Sequence, residues 1–261
     1  MTVTTSQARD PWIVRPRLNP GATFRLFCFP YAGVGASVFR TWPQAFPSHV
    51  ELVMMQPPGR EGRWSETPLT RAVDIAAAAA QAVRPFLGVP YAFYGHSLGA
   101  LVSFELTRLL RRQGLPGPRH LFASAHRAPQ LPNPHPAMRD LPDGEFVDQI
   151  CTQYGGIPQA VLDNRDLLEL MLPCLRADFR AYETYEYVDE APLACPITTF
   201  GGRGDRRVSE FEVRAWQRQT AGEFRTEMFA GDHFFLQDWR DALVASMMRD
   251  LRGVRATALG R

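Results

Sequence analysis

Val89-Pro90-Tyr91-Ala92-Phe93-Tyr94, then Gly95-His96-Ser97-Leu98-Gly99, then Ala100-Leu101-Val102-Ser103-Phe104-Glu105-Leu106-Thr107-Arg108-Leu109-Leu110 is the run that decides the fold. Its first block is aromatic and β-branched and suits a buried strand. Its last block has apolar residues at helical spacing and contains neither Gly nor Pro. A G-x-S-x-G between the two predicts a nucleophile elbow, a tight strand-to-helix turn that lifts the Ser97 hydroxyl clear of the backbone. The flanking glycines keep Cβ atoms out of that crowded turn.

Outward from the elbow, strand and helix patterns alternate. Residues 24–29, 50–55, 120–125, 197–200 and 224–229 read as strands. Residues 36–42, 71–86 and 209–220, and the stretch from Trp239, read as helices. Residues 1–20 read as an extended arm anchored by Trp12, Ile13 and Val14. Residues 129–186 break the rhythm: a proline-rich stretch leads into helical segments at 143–155, 164–172 and 174–185. The pattern predicts an α/β fold with a mostly parallel, doubly wound sheet. Residues 1–128 and 187–261 form its core, and 129–186 are an inserted helical cap, or lid, over the C-terminal edge of the strands, where ligands of such sheets sit.

Composition narrows the chemistry. The chain has 261 residues, the size of a single domain with an insertion, and 21% of them are charged. All 29 cationic residues are Arg, which removes Schiff-base chemistry, a P-loop lysine and a Ser-Lys dyad together. A net charge of +2 gives no basis for nucleic-acid binding. Cys28, Cys151, Cys174 and Cys195 form no C-x-x-C pair and read as a reduced set outside any metal site. The Met1–Asp10 segment lacks the features of a signal peptide, and the Ala76–Ala80 run is too short to span a membrane. A cytoplasmic protein is expected.

Ser97 needs a base, because a serine hydroxyl is a poor nucleophile at neutral pH. In hydrolases built on this elbow the chain order is nucleophile, acid, histidine, which excludes His49 and His96. His120 opens a strand and lies at the wrong end, while His126 and His135 leave little chain before them for an acid. His233, in the loop after strand 224–229, is left as the base. Asp205, in the loop after strand 197–200, is the acid that would orient it. Asp232 is a rival acid but adjoins His233, which hinders it from facing the ring. The oxyanion donors expected are the backbone N–H of Leu98 and one from the turn after strand 24–29, at Tyr31 or Ala32.

The chain resembles the type II thioesterases of polyketide synthase and non-ribosomal peptide synthetase pathways, members of the α/β-hydrolase superfamily. The resemblance spans nearly the whole length. It is carried by Trp12-Ile13-Val14-Arg15, Leu26-Phe27-Cys28-Phe29-Pro30-Tyr31-Ala32-Gly33, Pro58-Gly59-Arg60-Glu61, Gly95-His96-Ser97-Leu98-Gly99-Ala100, His126-Arg127-Ala128-Pro129, Leu172-Pro173-Cys174-Leu175-Arg176-Ala177-Asp178-Phe179 and Asp232-His233-Phe234-Phe235-Leu236. The chain departs from the family pattern at Val34, Asp232, Arg206 and His126, none of them a triad position.

The resemblance implies an α/β-hydrolase fold and a serine thioesterase. Its substrates would be acyl groups on the phosphopantetheine arm of acyl or peptidyl carrier proteins, removed to edit a stalled or misprimed synthase. No metal or soluble cofactor is implied, and a monomer is expected, free-standing in view of Met1 and the arm. The cap would form the acyl chamber, with Phe146, Ile150 and Met171, and also Leu167, Leu168 and Leu170, as candidate walls. Tyr182, Tyr185 and Tyr187 are candidates for its exit. Arg60, Arg63, Arg176 and Arg180 are candidates for a patch that steers an acidic carrier. A small-ester carboxylesterase or an acyltransferase on the same triad is the alternative.

Overall fold

The computed structural model describes residues 10–252, so the first half of the expected arm and nearly all of the stretch read for targeting lie outside the described residues. Seven strands form one sheet in the order β1-β3-β2-β4-β5-β6-β7: β1 (Ile13–Val14), β2 (Phe24–Phe29), β3 (Val50–Met55), β4 (Tyr91–His96), β5 (Leu121–Ser124), β6 (Ile197–Gly202) and β7 (Phe224–Phe229). All neighbouring pairs are parallel except β1 with β3. The arm residues Ile13 and Val14 thus add a short antiparallel edge opposite Met55 and Met54.

The central strands are mostly apolar because helices cover both faces of the sheet, whereas the edge strand β7 is only partly buried. Phe27 and Phe29 of β2 pack toward α1 (Ala72–Val83) and α2 (Leu98–Arg112). Leu26 and Cys28 point the other way, toward Trp42 and α7 (Arg240–Leu251). The charge in β3 is Glu51, whose side chain is buried between Arg15 at 2.5 Å and Arg25 at 3.1 Å. Arg15 belongs to the arm, so this ion pair fastens the arm to the sheet.

Three helix expectations are corrected. Residues 36–42 are not one helix but two short 3₁₀ turns, Ala36–Phe39 and Trp42–Gln44. The Arg40 N–H reaches the Ser37 carbonyl three residues back, and Pro43 has no N–H to continue. Segments 164–172 and 174–185 are one helix, α5 (Arg165–Glu183), which passes through Pro173 because its face from Leu172 to Ala181 is buried. Residues 209–220 form only a short helix, α6 (Glu210–Arg214), behind a capping box of Ser209 and Glu212, and then a 3₁₀ turn.

Between β5 and β6, α3 (Asp143–Tyr154), α4 (Gln159–Leu162) and α5 build the cap, with an apolar cluster of their own that includes Phe146, Val147, Leu172 and Phe179. The short α4 is absent from the sequence reading.

At the centre of the sheet, β4 runs directly into α2. A Cβ on Gly95 would lie 2.2 Å from the Gly99 carbonyl oxygen, and one on Gly99 would lie 2.2 Å from that of Phe29. Both obstacles are backbone, which cannot step aside. Gly95→Ala is therefore expected to destabilise the protein by about 3 kcal/mol or more in urea unfolding, the upper range for overpacking. A loss below about 1 kcal/mol would mean that the elbow relaxes.

Candidate active site

The elbow holds Ser97 at φ 53° and ψ −119°, a conformation rarely populated outside glycine. Three backbone hydrogen bonds hold it there: its N–H donates to the Ser124 carbonyl at 2.8 Å, and its own carbonyl accepts from Ala100 at 2.9 Å and from Leu101 at 3.5 Å. The Ser97 Oγ stands 3.0 Å from His233 Nε2, and His233 Nδ1 stands 2.7 Å from Asp205 Oδ2. With the Nδ1–H donating to the carboxylate, Nε2 is free to accept the hydroxyl proton. The Asp205 carboxylate is buried, and its other oxygen accepts the N–H groups of Arg207 at 2.8 Å and Val208 at 3.2 Å. Asp232, the rival acid, instead takes the Phe234 N–H at 2.8 Å within its own turn.

His96 has a part the sequence reading missed. Its Nε2–H donates to the His233 carbonyl at 2.8 Å, and its Nδ1 accepts the Ser124 hydroxyl at 2.9 Å. Complete burial and the neighbouring His233 ring push its pKa well below the usual histidine value, so it stays a neutral donor. The residue before Ser97 thus grips the loop that carries His233. The only sequence signal was its place inside the elbow. Tyr154 of the cap sets its ring edge-on to His233 at 5.0 Å between centroids.

Ser97 opens onto a cavity of about 200 Å³ that is also lined by Tyr31, Ala32 and Leu98, the expected oxyanion residues. Leu98 is the first residue of α2, so its N–H has no carbonyl within the helix. The Gly33 N–H is already committed to Asp178 Oδ2 at 2.7 Å. The expected amides of Tyr31 and Ala32 stay available, as does that of Val34, which also lines the cavity.

Ile150 and Met171 line this cavity, as does Tyr182. Phe146 does not. It is fully buried inside the cap, edge-on to Phe179 at 5.3 Å, with the Arg176 guanidinium 4.4 Å from its ring centre. Leu167 and Leu170 face solvent, and Leu168 packs on the cap's own cluster. Tyr185 donates to Glu105, and the ring of Tyr187 lies against Arg108, so neither is at the chamber exit. Leu175, Phe179, Val161 and Tyr154 line the cavity without having been foreseen.

The expected arginine patch dissolves for a similar reason. Arg60 and Arg63 are buried, the first on Asp178 and the second on the Gln56 carbonyl and Glu66. Arg176 is engaged by Asp143, and the half-exposed Arg180 lies beside Asp140. Spacing in the sequence cannot separate an arginine that faces solvent from one that closes an internal ion pair.

The chain is similar to known proteins over most of its length. A family model described as a thioesterase domain matches residues 24–251. The gramicidin S biosynthesis protein GrsT of Aneurinibacillus migulanus is 42% identical, over 95% of this chain and 96% of its own. The thioesterase PikA5 of Streptomyces venezuelae is 36% identical, over 88% of this chain and 82% of its own. The solved structure of BorB, a type II thioesterase from the borrelidin biosynthetic cluster, superposes with a TM-score of 0.86 at 33% identity, covering 94% of this chain and 99% of that one.

Two buried histidines outside the triad bear on stability. Burial holds His126 down at about 3 and His120 at about 4, against 6.5 for a free histidine. The unfolded chain therefore takes up more protons below about pH 6.5, and unfolding free energy should fall as pH drops from about 7 toward 4.5. His120→Gln should flatten that slope in urea titrations; an unchanged slope would remove His120 as a contributor. Separately, Ile150→Phe narrows the cavity and should lower kcat/KM for long acyl thioesters about tenfold while sparing acetyl thioesters. Parallel kinetics on the two chain lengths would reveal it.

Proposed function

The chain belongs to the thioesterase family, and we propose that it is a serine thioesterase that clears acyl groups from the phosphopantetheine arm of carrier proteins. It hydrolyses thioesters, and among the proteins it is similar to are the thioesterase PikA5 and type II thioesterases from the borrelidin cluster and from the yersiniabactin NRPS/PKS pathway. The observation that carries the reading is the unbroken chain of Asp205, His233 and Ser97 hydrogen bonds, at 2.7 and 3.0 Å, opening on an apolar cavity. The small-ester and acyltransferase alternatives draw no support from these relatives.

His233 takes the Ser97 proton through Nε2 as Oγ attacks the thioester carbonyl. Negative charge collects on the carbonyl oxygen, for which the Leu98 amide and that of Tyr31 or Ala32 are the donors assigned by this reading. Collapse of the tetrahedral species breaks the carbon–sulfur bond, and the imidazolium of His233 returns its proton to the departing thiolate. Water then attacks the acyl-serine with His233 again as base. Carboxylic acid leaves and Ser97 regains its proton. Asp205 holds the imidazole in the required tautomer and faces its positive charge during both halves.

The acyl group would lie between Ile150, Met171 and Leu175, surfaces that contact by shape and apolar character alone. Such walls suit a function of editing stalled or misprimed synthases, in which many different acyl groups must be accepted. The reading calls on no metal or soluble cofactor, because the phosphopantetheine arrives with the partner. It further assigns the protein to the cytoplasm as a monomer with no nucleic-acid or membrane partner. No helix among the described residues is long and apolar enough to cross a membrane.

Mass spectrometry of an acyl-loaded carrier protein incubated with wild type and with Ser97→Ala tests the proposal. Loss of the acyl group with wild type alone is expected, and deacylation by both would move the nucleophile elsewhere. Asp205→Asn should keep KM but lose about 10³- to 10⁴-fold in kcat, as expected when the imidazole adopts the wrong tautomer.

A further inference from the structure

Two of the motifs that mark the chain, Pro58-Gly59-Arg60-Glu61 and the cap run Leu172–Phe179, contain no residue of the proposed triad. The structure brings them together at one place, the turn after β2. Side chains from elsewhere take up four N–H groups of that turn. Gly35 donates to Glu61 at 3.1 Å, Ala36 to Gln56 at 2.7 Å, and Ser37 to Glu61 at 3.2 Å. Those acceptors follow β3. The remaining one comes from the cap: Gly33 donates to Asp178 Oδ2 at 2.7 Å.

Arg60 links the two sources. Its Nη1 and Nη2 donate to the Asp178 carboxylate at 2.6 and 3.0 Å, and Nη1 also approaches the Val34 carbonyl at 3.4 Å. Both side chains are almost wholly buried, at 4% and 1% exposure. Gly33 itself has φ +81°, and a Cβ there would lie 2.7 Å from Leu175 Cδ1, one helical turn before Asp178. Helix α5 therefore meets the turn at two points, by contact through Leu175 and by hydrogen bond through Asp178.

A buried ion pair is a weak source of stability, since desolvation offsets most of its attraction. Its value here is geometric. The Gly33 N–H belongs to the peptide that follows Ala32, so fixing its direction fixes ψ at Ala32 and with it the aim of the adjoining amides. We propose that Asp178, held by Arg60, is a positioning residue through which the cap sets the oxyanion donors of Tyr31 or Ala32. The proposal rests on the reading of Ser97 as nucleophile and adds a role for the cap beyond enclosing the acyl chain.

The test compares Asp178→Ala, Arg60→Met and the double variant for thermal stability and for kcat and KM on a synthetic acyl thioester. Each single variant strands a buried charge or its partner and should lower Tm. The double variant removes both and should regain much of that loss, yet leave the Gly33 N–H without its acceptor. Its kcat should remain about tenfold down with KM within about twofold, a partial loss beside the 10²–10³ for deleting an oxyanion donor outright. If kcat recovers along with Tm, the pair is only structural and the proposal falls.

Asp178→Asn is the second variant, because it keeps an oxygen for Gly33 while removing only the negative charge of the pair. It should hold kcat within about threefold of wild type at a lowered Tm. A loss as large as that of Asp178→Ala overturns the proposal. Ser97→Ala run alongside separates the two levels. If it turns over the same thioester, the nucleophile reading fails as well. If it is inactive while the double variant matches wild type, only the role of Asp178 is lost.

Discussion

The closeness of backbone to backbone at the elbow is the constraint on which the rest depends. The start of α2 passes so near the end of β2 that a Cβ on Gly99 would lie 2.2 Å from the Phe29 carbonyl oxygen. That approach puts the Leu98 amide, the Ser97 hydroxyl and the turn after β2 around one point. Wider spacing would leave Ser97 as an ordinary helix-capping residue. The positive φ of Ser97 is the strain accepted for this placement, and β4, buried on both faces, and the helix it feeds hold it.

Around that point the protein uses buried polar groups as fixtures. Neutral His96 ties the His233 backbone to Ser124 on β5, so the base is located by the same strands that locate the nucleophile. The Asp205 carboxylate is held by amides on one oxygen and by the imidazole on the other. On the opposite side Asp178 and Glu61 hold the turn after β2. Each of these groups is satisfied by geometry that allows little latitude, which is how a low-dielectric site keeps donors and acceptors aligned before a substrate arrives.

The cap differs in kind. It adds an apolar wall over the site through Ile150, Met171, Leu175 and Phe179, with few directional contacts to the acyl space. Its own interior, around Phe146 and Phe179, is packed like a small core. Chamber and core residues alternate along the same helices. Leu175 serves both: it belongs to the cap cluster and also touches Gly33 and the cavity.

Several features were legible from residue order alone. Strands at 24–29, 50–55 and 224–229 match to the residue: the first two are mostly apolar because helices cover both faces there, and the partly buried edge strand Phe224–Phe229 is marked by its apolar ends and the turns that bound it. Ser97, His233 and Asp205 could be singled out because elbow chemistry needs a particular local pattern and their chain order is limited by the fold. Which of the apolar cap residues faces the cavity, and which of the arginines faces water, depends instead on rotation about helices and on partners far along the chain. Phe146 turns inward and Arg60 finds Asp178 across 118 positions. Local sequence thus determined the elements, the elbow and the chemistry available. Only tertiary packing decided which side chains meet, because burial and pairing are properties of surfaces brought together by the fold rather than of neighbours in the chain.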